Sequence, residues 1–427
     1  MNKLKLNTLA VALGLSFSGV THAAANSEVT QLRNEVSQLR AMIEQLQTEQ
    51  KKQAIVYDVQ ATKVVAPVVK VDTTARKGLG FTAGGAEFNI YGNVRADAGY
   101  QFEGATGGTP YNQIATAELS GDNGKDRLRS TLSATRLGLD FKTATQKGDV
   151  AGKIEVDFLG SNDSLRIRHA YMTYDDWLIG QTWSNFAVPD YMAETIDAMG
   201  YVGQSVKRTP QVRYTNKFNP NTSLIMALED PKDAQADMKM RLPALTARVT
   251  HKFADNFSIG ARAMLHDKKT NEDNEMAWGV GLGAKYDITP STTLKADYYH
   301  VDGDSSFIYN SNQGFVTDAN KNIKETNAFD SINVGVTQKF NQQWRGTLGF
   351  GYMKADNNKD YLGYFTDKTK VNKDIWQGWG NVFYSPVQPL SFGLEYVYGE
   401  RQTFSTATMD SKTGKDSRLN AVAMYNF

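Results

Sequence analysis

From Glu87 to Phe427 the chain alternates apolar and polar residues. In "EFNIYGNVRADAGYQF" one face of an extended segment carries Phe88, Ile90, Gly92, Val94, Ala96, Ala98, Tyr100 and Phe102, and the other carries Asn89, Tyr91, Asn93, Arg95, Asp97 and Gln101. A period of two predicts a β-strand. "TRLGLDF" sets Leu137, Leu139 and Phe141 against Arg136 and Asp140, and "VAGKIEVDF" sets Ile154, Val156 and Phe158 against Lys153, Glu155 and Asp157. "FSIGARAML", "WGVGLGAKY", "WRGTLGFGY" and "LSFGLEYVY" repeat the pattern, and the final "RLNAVAMYNF" places Leu419, Ala421, Ala423, Tyr425 and Phe427 on one face. About 16 such segments can be counted, as in an outer-membrane barrel. Their connections alternate, short near 143–148, 219–222 and 386–389, longer near 103–128, 302–326 and 402–416.

Ahead of this region the period is different. In "EVTQLRNEVSQLRAMIEQLQTEQ" the residues Val29, Leu32, Val36, Leu39, Ile43 and Leu46 recur at steps of three and four, an a/d heptad seam. Glu28 and Glu35 fall at g and Arg33 and Arg40 at e, which favours a parallel homo-oligomer; the alternative is an amphipathic helix folded onto its own domain. Residues 54–84 lose the heptad, and Pro67 interrupts any helix there. The first residues, with Lys3 and Lys5, an apolar run and then small residues, read as a secretory signal peptide. The expected organisation is a signal peptide over 1–23, a coiled-coil oligomerisation segment over 24–53, a linker over 54–84 and a β-barrel over 85–427.

Composition narrows the fold. Mean hydropathy is −0.46, and beyond the leader no stretch is apolar enough for a spanning helix, whereas a barrel strand is apolar only at every second residue. The chain has no cysteine, so an exported protein of this size needs another source of rigidity, and a sheet without edges supplies one. The formal charge of +1 becomes −1 without Lys3 and Lys5, a balance that argues against nucleic acid as a partner. Charges recur on the face opposite the aromatics, where a soluble sandwich would need a core. The fold class expected is therefore all-β: a 16-stranded antiparallel transmembrane β-barrel, apolar towards lipid and charged towards a lumen, with an N-terminal α-helical coiled coil.

Two segments carry a family resemblance. "LIGQTWSNF", residues 178–186, resembles the junction at which general trimeric porins send their third loop into the channel, and "LRIRHAYMTY", residues 165–174, resembles the strand before it. With the leader, the heptads and Phe427, the whole chain resembles the DcaP-like outer-membrane porins of Gram-negative bacteria. That resemblance implies a homotrimer in outer-membrane lipid that admits small organic anions, dicarboxylates among them. Resemblance to outer-membrane proteins generally implies that the barrel-assembly machinery reads Tyr425 and Phe427. One departure is that Val or Ile at a with Leu at d favours a two-stranded coil.

If the apolar faces meet lipid, Arg95, Arg136, Lys153, Arg166, Arg168, Arg248, Arg262, Arg345, Arg401 and Arg418 line the lumen. Arginine matches a carboxylate with a planar fork, and rings of such cations favour anions. Arg166 and Arg168, two apart before the loop, are the leading candidates for free cations; the alternative is that Asp97, Asp140, Glu155 and Asp157 pair with these residues and stiffen the wall. A constriction loop over about 184–210 presents Asp190, Glu194 and Asp197 at helical spacing, followed by Lys207 and Arg208, and acids facing an arginine wall would set up a transverse field. Catalysis is not expected: His169, His251, His266 and His300 lie in strand-like segments, His169 and His300 on or near the lipid register, with no G-x-S-x-G motif nearby. No cofactor and no metal-ligand spacing is read. The rival function is an outer-membrane adhesin or cell-wall anchor whose coiled coil engages peptidoglycan.

Overall fold

The computed structural model describes residues 79–205, 207–308, 312–405 and 410–427. The heptad positions Val29 to Leu46, the leader and residues 54–78 of the linker lie outside the described residues. The alternating segments form a closed, antiparallel, 16-stranded barrel. The wall opens with β2 (Ala86–Glu103), preceded by a short strand β1 (Leu79–Ala83). The next stave is interrupted, β3 (Arg127–Thr131) and β4 (Arg136–Thr145) both pairing with β2. Around the wall follow β5 (Gly148–Asp157), β6 (Arg166–Tyr174), β7 (Trp177–Trp183), β8 (Arg208–Asn219) and β9 (Thr222–Glu229). Then come β10 (Ala244–Ala254), β11 (Phe257–Lys269), β12 (Asn274–Thr289) and β13 (Thr292–Asp302). A side hairpin of β14 (Phe315–Thr317) and β15 (Ile323–Thr326) leaves the wall, which resumes with β16 (Ala328–Lys339), β17 (Trp344–Ala355), β18 (Asn372–Val387), β19 (Leu390–Thr403) and β20 (Thr413–Asn426).

The barrel closes where β20 pairs with β2, Asn426 opposite Asn93 and Leu419 opposite Tyr100. One residue further, Gly92 and Phe427 exchange two backbone hydrogen bonds of 3.0 Å. The Phe427 ring covers Gly92 so closely that a Cβ there would lie 2.8 Å from its Cζ. Beyond that point β1 takes over the edge of β2, so part of the stretch read as linker belongs to the sheet. Its turn is Gly84–Gly85, whose φ values of 58° and 80° are those a two-residue type I′ hairpin requires.

Alternation decides which way each side chain points. Trp278, Val280, Leu282 and Tyr286 of β12 and Phe392, Leu394 and Tyr396 of β19 are exposed on the outer surface, while Asp97, Arg262, Asp297, Glu395 and Arg418 are buried within. This inverts a soluble barrel and suits a lipid surround. Among the described residues no helix is long and apolar enough to cross a membrane. Short turns at 146–147, 175–176, 220–221, 255–256, 290–291, 340–343 and 388–389 gather at one end, and the longer loops, 104–126, 184–207, 230–243, 303–327 and 356–371 among them, at the other. Three of those loops, 104–126, 184–207 and 303–327, contribute to an inner cluster. Ile114, Phe186, Val202, Phe307 and Ile308 meet Met264, Tyr299, Phe329, Met353 and Ile375 from the wall in an apolar plug. Strict alternation breaks within β6. A bulge in β6, where Glu155 pairs with His169 and Val156 with Ile167, turns both Arg168 and His169 inwards. His169 is therefore not on the lipid register; it is buried and shares a 3.0 Å hydrogen bond with Thr182 Oγ1.

Candidate functional site: the lumen and its constriction loop

The segment 184–207 leaves β7, crosses the lumen and returns to β8, so Arg208 and Pro210, read as loop, begin β8 instead. It is held at intervals along the wall. Near its start Asn185 N–H donates to Glu229 of β9 at 2.8 Å. Asp190 pairs with Arg248 of β10 at 2.9 Å, Glu194 with Arg345 of β17 at 2.9 Å, and Asp197 with Arg418 of β20 at 3.3 Å. The densest anchor is Glu395 of β19, which accepts from Thr195 Oγ1, Ile196 N–H, Tyr201 Oη and Asn381 Nδ2 at 2.7–3.0 Å. Arg95 reaches the Ile196 carbonyl at 2.5 Å, and Gln377 accepts from Val202 N–H at 3.2 Å.

Glycines in the wall make the track on which the loop lies. The Tyr191 ring occupies the space above Gly260 and Gly283, Ala193 Cβ that above Gly335, and the Val202 carbonyl that above Gly351. A Cβ at Gly283 would stand 2.1 Å from Tyr191 Cδ2. Inward positions that read only as small residues in an alternating strand are where the loop rests.

Three expectations need correction. Residues 190–197 form no helix; turns, bends and irregular backbone carry the acids. Asp190, Glu194 and Asp197 do not oppose an arginine wall across the pore, because each forms an ion pair with the wall the loop lies on. Arg166 and Arg168 are not free cations either. Arg166 makes two bonds to Asp157, and Arg168 bonds Glu155 at 2.6 Å and Asp157 at 3.0 Å. The remaining paired candidates follow the wall-stiffening alternative: Arg95 with Asp97, Lys153 with Asp140, and Arg262 with Asp297. Arg401 fastens the 104–126 loop through the Ala117 carbonyl and bonds Asn372 Oδ1.

Arg136 of β4 and Arg208 of β8 form no ion pair among the described residues. Arg208 lies over the Trp183 ring, 4.5 Å from its centroid, within electrostatic reach of Arg136, Arg166 and Arg168. Arg213, which the sequence reading missed, is oriented by Gln211 and the Trp183 carbonyl and has no carboxylate partner among the described residues. These three stand on β4 and β8, whereas the loop from Asp190 to Gly203 is held on β10 to β20 and β2. Arg213 was legible as an inward position of β8, since Thr209, Gln211 and Arg213 alternate with Pro210 and Val212. Arg136 also lines a cavity of about 600 Å³ at the short-turn end with Tyr91, Lys153, Glu155 and Phe427.

Two charged side chains of the loop have displaced acidities. Burial pushes the Asp197 carboxyl up to about 7, against the pull of Arg418. Burial also lowers the Lys207 ammonium below the ordinary lysine range. Asp233, His266 and Asp304 bring ligand atoms within 4.8 Å of one another. Lys268 Nζ stands 2.5 Å from both Asp233 and Asp304, so the cation of that cluster is a side chain.

Comparison with known proteins places these features in context. The family model described as DcaP outer membrane protein matches residues 19–427. The crystal structure of the outer membrane channel DcaP of Acinetobacter baumannii is similar at 39% identity, covering 81% of this chain and 99% of that one, with a TM-score of 0.74. The anion-selective porin from Comamonas acidovorans shares the fold at 9% identity, covering 80% of this chain and all of that one, with a TM-score of 0.53. OmpF of Salmonella typhi, in a complex with daunomycin, shares it at 15% identity, covering 80% and 98%, with a TM-score of 0.55. No curated protein matches the chain.

Proposed function

Because the chain belongs to the DcaP outer membrane protein family, and is similar to outer-membrane channels over its whole barrel, we propose that it is a trimeric diffusion channel with a preference for small organic anions, dicarboxylates included. In this reading the short turns face the periplasm and the long loops the cell exterior. The observation that carries it is the set of guanidiniums without carboxylate partners among the described residues, Arg136, Arg208 and Arg213, on the side of the lumen away from the loop anchors. Most other basic residues of the wall are neutralised by a named acid, so the excess positive charge is concentrated there. Guanidiniums on two staves of one side of the wall, β4 and β8, can engage the two ends of a dicarboxylate, each through a bidentate fork.

The test is the reversal potential of single channels in a potassium chloride gradient. Wild type should favour chloride, and Arg136→Gln combined with Arg208→Gln and Arg213→Gln should move the potential towards the potassium limit. An unchanged potential in the triple variant would refute the assignment. Liposome swelling with a four-carbon dicarboxylate against a neutral solute of equal size tests the substrate class.

A further inference from the structure

Where β13 to β20 reach the long-loop end, the outer wall carries charge in register. His300, Asp330, Lys354 and Asp374 are direct cross-strand neighbours on β13, β16, β17 and β18. The outward row just beneath them is Tyr298, Ile332, Tyr352 and Trp376, again in register. On β19 and β20, Glu400 faces Lys415, and the pair continues the register of Tyr352 and Trp376, so it lies in the aromatic row itself. Phenols of the wall hold the carboxylates: Tyr298 donates to Asp330 at 2.5 Å, Tyr352 to Asp374 at 2.7 Å and Tyr398 to Glu400 at 2.7 Å. His300 Nδ1 lies a further 3.0 Å from Asp330. The ammoniums are not engaged. Lys354 and Lys415 are exposed, and neither has a hydrogen-bond or ion-pair partner among the described residues.

An outward aromatic row marks the membrane interface, so charged side chains within it, such as Lys415, and one step beyond it, such as Lys354, stand at the level of lipid headgroups. With the acids already occupied, the free hydrogen-bonding capacity of this surface is cationic, which complements a phosphate and not a metal ion. We propose that the outer wall of β17 to β20 binds the phosphorylated headgroup of an outer-leaflet lipid, with Lys354 and Lys415 donating to phosphate oxygens. The proposal rests on the orientation given above, long loops outward.

Lipopolysaccharide retained per protein after extraction in mild detergent is the readout, with channel conductance as the check on folding. Lys354→Glu with Lys415→Glu should lower retention at least fivefold, and the gentler Lys354→Gln with Lys415→Gln should lower it severalfold. Lys359→Glu, the same charge reversal on an exposed loop helix (Lys359–Gly363), should leave retention unchanged. In this cysteine-free chain, Lys359→Cys reports orientation through an impermeant maleimide applied to whole cells. Labelling only after permeabilisation would overturn the orientation and the proposal with it. Surface labelling with wild-type retention in both double variants would overturn the proposal alone. Crosslinking of Lys354→Cys chains by a short bismaleimide would also overturn it, assigning the surface to a second copy.

Discussion

Arg168 looks like a free cation in the sequence and is a structural tie in the barrel. The difference lies in one bulge. Strict alternation places Arg168 and His169 on opposite faces, and the extra residue in β6 turns both inwards, bringing Arg168 to Glu155 and Asp157. Bulges leave no composition signal, so the inward direction of the arginines was legible while their pairing with Glu155 and Asp157 stood only as the alternative reading. Asp197 shows the same limit, since its acidity depends on contacts made across the whole barrel. Its carboxyl is raised to about 7 by burial, and an acid raised in the folded state binds its proton more tightly there than in the unfolded chain, whose value is near 4. The attachment of the loop should therefore gain stability as pH falls from about 7 towards 4 and lose it as pH rises through that window. Thermal unfolding of wild type between pH 5 and pH 8 should show this slope, and Asp197→Asn, which keeps an acceptor for the 2.9 Å bond from Met199 N–H, should flatten it. Equal slopes in the two proteins would remove Asp197 as the titrating group.

At the level of elements, the strands were legible because their period is two, and the loop was legible in its extent and its acids but not in its path along the wall. Its route is encoded on other strands, at Gly260, Gly283, Gly335 and Gly351, where the absence of a side chain is the signal. A small inward residue has many uses, so nothing in β12 taken alone points to Tyr191. Overfilling such a recess costs about 1–3 kcal/mol, which a loop held by ion pairs relieves by moving away from the wall. Gly283→Val should therefore push the 184–207 segment towards the pore and lower single-channel conductance. The barrel's heat stability should stay near wild type, because β11–β12 pairing does not involve that side chain. Wild-type conductance in this variant would mean that the loop does not bound the pore.

The whole molecule expresses the simplest part of the sequence. Apolar and polar residues alternate, the polar set lines the inside, and even the alternation of short turns and long loops survives at the two ends. The trimer proposed above belongs to this scale: in mild detergent the protein should migrate as a heat-resistant species of three times the chain mass, and a monomer by mass measurement would exclude it. The remaining consequence concerns the seam at Gly92 and Phe427. Every other pairing in the barrel joins staves that follow one another along the chain, so those hairpins can nucleate locally and early. The seam instead brings together the two ends of the described chain, and its loop-closure entropy is recovered only when the rest of the sheet is in place. Folding thus has a natural last step, in which an open, curled sheet with two unsatisfied edges becomes a ring. Until that step both edges can pair with foreign strands, so the time spent before closure sets the hazard of misassembly.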